Sequence, residues 1–171
     1  MKSPILKISS HEILGLACDW GDGARRCAVG RSGIGEKRKE GDGITPLGIF
    51  PVRYVLYRPD RLSAPQTALE VRAIGEWDGW CDAPGDPAYN RPVTLPYPAS
   101  AEHLWRQDHL YDVVAVLGFN DDPVVDGKGS AIFLHCARPD YGPTEGCVAL
   151  ALPDVLDTLA AMGPGAAVEI V

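Results

Sequence analysis

Nineteen glycines and fifteen prolines are spread through 171 residues, and they fall between short apolar runs rather than gathering in one linker. Proline removes a backbone donor and glycine opens turn conformations, so a chain punctuated this often folds as many short strands joined by turns. Strands are expected at 5–8, 13–18, 26–30, 48–57, 68–74, 112–119, 130–137, 147–150 and 167–171. A helix is expected from Pro153, because Val155, Leu156, Leu159 and Met162 recur at helical spacing and Gly163-Pro164 stops the pattern. A second, short helix is expected over 100–106. The fold class is therefore mainly β, with one or two short helices.

One segment resists this pattern. Residues 75–98, GEWDGWCDAPGDPAYNRPVTLPYP, show no sustained periodicity and hold five prolines. Long aperiodic loops in small domains commonly serve as lids. Trp77, Trp80, Tyr89 and Tyr97 supply apolar area that gives such a loop something to bury. A lid or wall over a site is expected here.

The length suits one domain over 1–171, enough to bury roughly 70% of the unfolded surface. The formal charge is −7, which argues against nucleic acid as a partner, since phosphate binding needs clustered cations. The one cationic run, Lys37-Arg38-Lys39, is flanked by Glu36 and Glu40 and reads as a solvated loop. Five cysteines and four histidines form no metal-ligand spacing, so no metal or cofactor is expected. No stretch is long and apolar enough to span a membrane. The first twenty residues lack the apolar core of an export signal, and the expectation is a cytoplasmic protein, with the periplasm or wall as the alternative if a leader was removed.

The chemistry concentrates in LHCARPDYGPTEGCVAL, residues 134–150. Strand alternation sends Ile132, Leu134 and Cys136 to one face and Ala131, Phe133, His135 and Ala137 to the other. Cys136 therefore points away from its neighbour His135. The turn-rich RPDYGPTEG can return the chain beside that strand and bring Cys147 to His135. Gly146 would permit a positive φ or close approach and let backbone N–H groups form an oxyanion pocket. Thr144 would fix the turn or polarise the thiol. In water the thiolate–imidazolium pair is disfavoured by roughly 2.7 kcal/mol, a balance that a close ion pair in a partly desolvated site can reverse. The order His before Cys is not that of papain-like enzymes, and the caspase signature is absent. The bland alternative is a structural histidine on a strand and a buried cysteine acting as a small hydrophobe.

The segment resembles the L,D-transpeptidase (YkuD) family, which carries a histidine on a strand and then Ser/Thr-His-Gly-Cys. His135 and Thr144-Glu145-Gly146-Cys147 stand at those positions. GRSGIGEKRKEGDGITPLGIFPV, with Thr45-Pro46 and Gly48, is similar to the family's glycine-rich segment, and with YDVVAVLGFND the likeness runs from about residue 30 to 150. Glu145 replaces the usual second histidine, Ala149 stands where arginine or asparagine often follows, and the His-to-Cys spacing is short. The resemblance implies a β-sandwich or barrel-like catalytic domain with Cys147 as nucleophile and His135 as base, oriented by a backbone carbonyl near Cys136. It implies acyl transfer on peptidoglycan stem peptides or muropeptides, cleaving the bond from an L-centre of a diamino acid to D-alanine. The acceptor is an amine in a transpeptidase and water in an L,D-carboxypeptidase. Such substrates carry carboxylates, for which Arg91 and Arg138 are the candidate partners, with Asn120 a further contact. The competing class is a catalytically silent wall-peptide-binding module on the same fold.

Overall fold

The computed structural model describes residues 5–171. Fourteen strands and one helix follow in chain order. They are β1 (Ile5–His11), β2 (Gly15–Asp19), β3 (Arg25–Ala28), β4 (Ile34–Gly35), β5 (Thr45–Pro46), β6 (Gly48–Tyr57) and β7 (Val71–Ala73). Then come β8 (Asp78–Cys81), β9 (Pro92–Thr94), β10 (Ala101–His103), β11 (Val113–Leu117), β12 (Phe133–Cys136), β13 (Val148–Leu150), α1 (Leu152–Ala161) and β14 (Ala167–Ile170).

The main sheet runs β11-β12-β13-β3-β2-β1-β14-β6, and β6 pairs back onto β11, so the sheet closes on itself as a barrel, with β7 added beside β6. The ten-residue β6 makes closure possible: Gly48–Pro51 pairs with β14, whereas Val52–Tyr57 pairs with β11. Closure removes exposed ladder edges. The interior holds Leu6 and Ile8 of β1, Val113, Ala115 and Leu117 of β11, and Leu134 and Cys136 of β12. These are alternate residues along each strand, as the pleat dictates. α1 opens with Pro153 in its first turn and packs Val155 and Leu159 against this core.

A second, smaller core lies on the outer face of β11 and β12. Val114, Val116 and Phe133 meet Trp80, Leu104, Tyr111 and Cys147 there. Trp80 and Tyr111 both stand edge-on to Phe133, with centroids 5.2 and 5.8 Å away. Each such ring pair contributes about 0.5–1.5 kcal/mol beyond area burial. Trp80 comes from a three-stranded sheet, β10-β8-β9.

That small sheet corrects two expectations. The 75–98 segment is not an aperiodic loop, because it carries β8 and β9 paired through Asp78↔Thr94, Gly79↔Val93 and Trp80↔Pro92. Residues 100–106 are not a helix: β10 pairs Ala101, Glu102 and His103 with Cys81, Trp80 and Gly79. Ala, Glu, Leu and Arg favour helix locally, but pairing with β8 overrides that weak preference.

No helix among the described residues is long and apolar enough to cross a membrane.

Candidate active site

β12 and β13 run parallel, with Leu134↔Val148, His135↔Ala149 and Cys136↔Leu150 in register. The crossover between them returns the chain beside the strand it left and sets Cys147 one step before Val148. His135 and Cys147 consequently line one cavity of about 460 Å³. Cys136 faces the barrel core, where its thiol donates to Val113 O at 3.8 Å.

His135 is 5% exposed. Its Nδ1 lies 2.9 Å from Cys136 O. A carbonyl only accepts, so Nδ1 carries the proton and Nε2 keeps its lone pair. The Cys136 carbonyl is the orienting group expected after the histidine. Tyr111 packs its ring against the imidazole at 5.2 Å, and its hydroxyl donates to Glu102 Oε1. Burial pushes the imidazole down to about 4, against the opposing pull of the Cys136 carbonyl.

Cys147 is 9% exposed. Its Sγ accepts from Phe133 N–H at 3.3 Å and donates to Ala131 O at 3.2 Å. Burial, then the nearby Glu102 carboxylate, pushes the thiol up to about 12. Burial thus shifts both groups toward their neutral forms, the thiol upward and the imidazole downward. A thiolate–imidazolium pair would have to overcome this desolvation, which disfavours both charged forms. The thiol proton is directed to Ala131 O rather than to His135.

The loop that presents Cys147 is fastened at several points. Thr144 N donates to Val29 O, and Arg31 N donates to Thr144 O. Thr144 Oγ1 donates to Cys147 O at 2.6 Å and accepts from Gly146 N. Of the two roles open to Thr144, it fixes the turn and leaves the thiol alone. The Gly146 N–H is used within this turn. Gly146 itself is required, since it has φ 139° and an added Cβ would meet Ile44 O at 2.8 Å. Its carbonyl accepts from Thr45 Oγ1 at 2.8 Å. Glu145 turns outward to pair with Arg31 at 2.9 Å on the cavity rim.

The expected substrate-binding residues divide. Arg138 lines the cavity, is exposed, and has no ion-pair partner among the described residues. Arg91 does not reach the cavity. Its Nη2 donates to Asp121 O at 2.7 Å, on the far side of the β8–β9 connection. Asn120 does not reach it either, because its amide bonds Val125 and Gly129 and ties the 120–129 loop to itself. The place of Arg91 in the aromatic-rich segment and of Asn120 after the strand beside His135 points to the site, but hydrogen bonding within loops decides otherwise.

Several residues that line or support the site carried no sequence signal pointing to it. Glu40, Asp82, Glu102 and Arg106 line the cavity beside the catalytic candidates. Glu102 and Trp80 sit opposite one another in the β10–β8 ladder, which points Glu102 toward Tyr111. Lys37 also lines the cavity, and its side chain is buried against Asp42, so the 37–39 run is not wholly a solvated loop. Asn90 is buried behind the site. It accepts from Trp80 Nε1 and Ala131 N and donates to Phe119 O and Asn120 O. That bonding holds Ala131 at φ 47°, a backbone conformation costing of order 1 kcal/mol or more, next to the thiol's acceptor. Among the described residues no group of three or more His, Cys, Asp or Glu is arranged to hold a metal ion.

A search of curated proteins finds no match for the chain. The family model of the L,D-transpeptidase catalytic domain, YkuD, matches residues 10–170, a span that takes in the barrel from within β1 to the end of β14. The paired strands, the crossover and the cavity with His135 and Cys147 all fall inside that match, and the chain belongs to the YkuD family of L,D-transpeptidase catalytic domains.

Proposed function

We propose that the protein is a cysteine-dependent acyl-transfer enzyme on peptidoglycan stem peptides, with Cys147 as nucleophile and His135 as general base. One observation carries this reading. His135 and Cys147 line the same cavity, and the Nδ1 bond to Cys136 O leaves Nε2 as the nitrogen able to accept a proton.

Since burial disfavours the charged forms of both groups, the proton leaves Sγ for Nε2 as the sulfur–carbon bond forms, rather than in a prior ionisation. The thiol first swings from Ala131 O toward the imidazole. Sγ adds to the carbonyl carbon of the diamino acid's L-centre, and the carbonyl oxygen becomes an oxyanion. Collapse breaks the C–N bond, His135 returns its proton to the departing D-alanine amine, and a thioester remains on Cys147. Water or an amine then adds to the thioester, giving a proton to His135, and collapse expels the sulfur, which is reprotonated. Arg138 is the cavity's unpaired cation and is proposed to hold the terminal carboxylate of D-alanine. Lys37 and Arg106, the other cations lining the cavity, already have carboxylate partners.

Water is the proposed acceptor, making the enzyme an L,D-carboxypeptidase that trims tetrapeptides to tripeptides. A cavity of about 460 Å³ suits one peptide end. All five cysteines are free and buried thiols, which suits a reducing compartment, and the proposed location is the cytoplasm.

Incubation with a disaccharide tetrapeptide, followed by mass analysis, tests the whole reading. The expected products are free D-alanine and disaccharide tripeptide, with R138Q raising KM about tenfold while kcat changes little. Dimeric 3-3 linked products in excess over tripeptide would make the amine the true acceptor. No turnover and no covalent adduct on Cys147 would leave the silent binding module. Host fractionation with recovery in the periplasm would overturn the location.

A further inference from the structure

Lysine is almost never buried unless it is paired. The Lys37 side chain is 3% exposed and that of its partner Asp42 is 9% exposed. Lys37 Nζ lies 2.6 Å from Asp42 Oδ1 and 3.5 Å from Ile44 O. Asp42 also accepts backbone N–H groups from Arg38 and Lys39 on Oδ2 and from Ile44 on Oδ1. Burial alone would raise the Asp42 carboxyl, but Lys37 and these N–H groups hold it well below the usual carboxylate range. The Asp42 carboxylate is thus held from both sides, by the Lys37 ammonium and by three backbone N–H groups.

Such a pair is weak as a stability device, since well-packed apolar residues of similar volume often serve as well or better. Its position suggests another role. Lys37 lines the Cys147 cavity. Its stem presses on Gly129, where an added Cβ would meet Lys37 Cε at 2.4 Å. Ile44, whose carbonyl Nζ approaches, packs directly behind Gly146, and Thr45 bonds the Gly146 carbonyl. The loop stapled by Lys37 and Asp42 therefore forms the backing of the Gly146–Cys147 turn.

We propose that Lys37, anchored by Asp42, is a further functional residue of this site: a fixed buried cation that stabilises negative charge on Cys147 Sγ and on the oxyanion at the attacked carbonyl. This rests on Cys147 being the nucleophile. The Gly146 N–H is already taken by Thr144 Oγ1, so a fixed cation would add a source of stabilisation that this donor does not supply. A low-dielectric site also magnifies a charge fixed nearby. The other groups acting on the thiol are Glu102 on β10, Arg106 after β10, Tyr111 before β11 and the Phe133 N–H, and His135, Glu40, Asp82, Arg138 and Glu145 also line its cavity. Glu102 opposes thiolate formation, whereas Lys37, Arg106 and the Phe133 N–H favour it.

The test needs no peptidoglycan substrate, so its failure is separable from failure of the functional reading. Alkylation of Cys147 by iodoacetamide, mapped by mass, is followed against pH in K37M/D42N, K37R and D42N. Removing both charges should slow Cys147 alkylation about tenfold at fixed pH, with the thermal midpoint changed little, and K37R should restore the wild-type profile. D42N alone leaves the cation unopposed and should speed alkylation. These opposite signs distinguish a charge effect from loop loosening, which would move both variants the same way. A folded K37M/D42N with the wild-type alkylation profile would overturn the proposal. If that double variant does not fold, D42N decides: unchanged or slower alkylation rejects the role, and faster alkylation supports it.

Discussion

Two cysteines eleven positions apart have opposite surroundings, and a pair of alanine substitutions exposes the difference. Cys136 sits in the barrel core beside Leu134 and Val113, whereas Cys147 lies in the second core at the cavity wall. Cys147→Ala is expected to abolish the acyl-enzyme in intact-mass analysis while leaving the urea midpoint nearly unchanged. Cys136→Ala should lower stability by about 1–2 kcal/mol through a small cavity, with little effect on rate. An acyl adduct carried by Cys136 would reverse the assignment. Gly146 gives a second residue-level expectation. Alanine there is strained at φ 139° and drives its Cβ to within 2.8 Å of Ile44 O. A loss of about 2–4 kcal/mol is expected from the urea midpoint, together with loss of turnover as Cys147 shifts.

Between elements, the critical joint is where the β8–β9 connection meets the loop ahead of β12. Asn90 makes that joint with four hydrogen bonds, to Trp80, Ala131, Phe119 and Asn120, while only 2% exposed. Asn90→Ala strands the Trp80 and Ala131 donors and two carbonyls in a buried setting. A cost of about 3–5 kcal/mol is expected by chemical denaturation. Ala131 would also be released from its constrained backbone, so the residual folded protein should show a lower kcat. Asn90→Asp keeps the two acceptor bonds and should recover part of the stability; if it and Asn90→Ala are both near neutral, the joint is not structural.

Across the molecule, the neutral His135 couples folding to pH. Its imidazole is pushed from 6.5 down to about 4 by burial in the folded protein. Between those values the unfolded chain binds a proton that the folded chain does not. Stability is thus fully present above pH 6.5 and declines as pH falls toward 4, by about 3 kcal/mol from this residue. Urea midpoints of wild type and His135→Gln at pH 7 and pH 4.5 check this, because the variant should lose less stability over the interval. Equal losses would mean that His135 is not the coupling group.

The strands at the barrel's core, the helix after Pro153 and the opposed faces of Cys136 and His135 were legible from local pattern. Period two in GSAIFLHCA, helical spacing from Val155 to Met162, and turn residues in RPDYGPTEG are each short-range signals that burial then rewards. What local pattern did not carry was everything set by contacts between distant segments. β10 is a strand because β8 pairs with it, against the helical preference of its residues. Arg91 left the site because Asp121, thirty positions on, offered its carbonyl. Lys37 was drawn inside by Asp42 and by space beside Gly129, although its run of charges reads as solvated. The shifts of His135 and Cys147 toward their neutral forms likewise came from burial, because a group's charge depends on the water it loses, and only the assembled structure states how much that is.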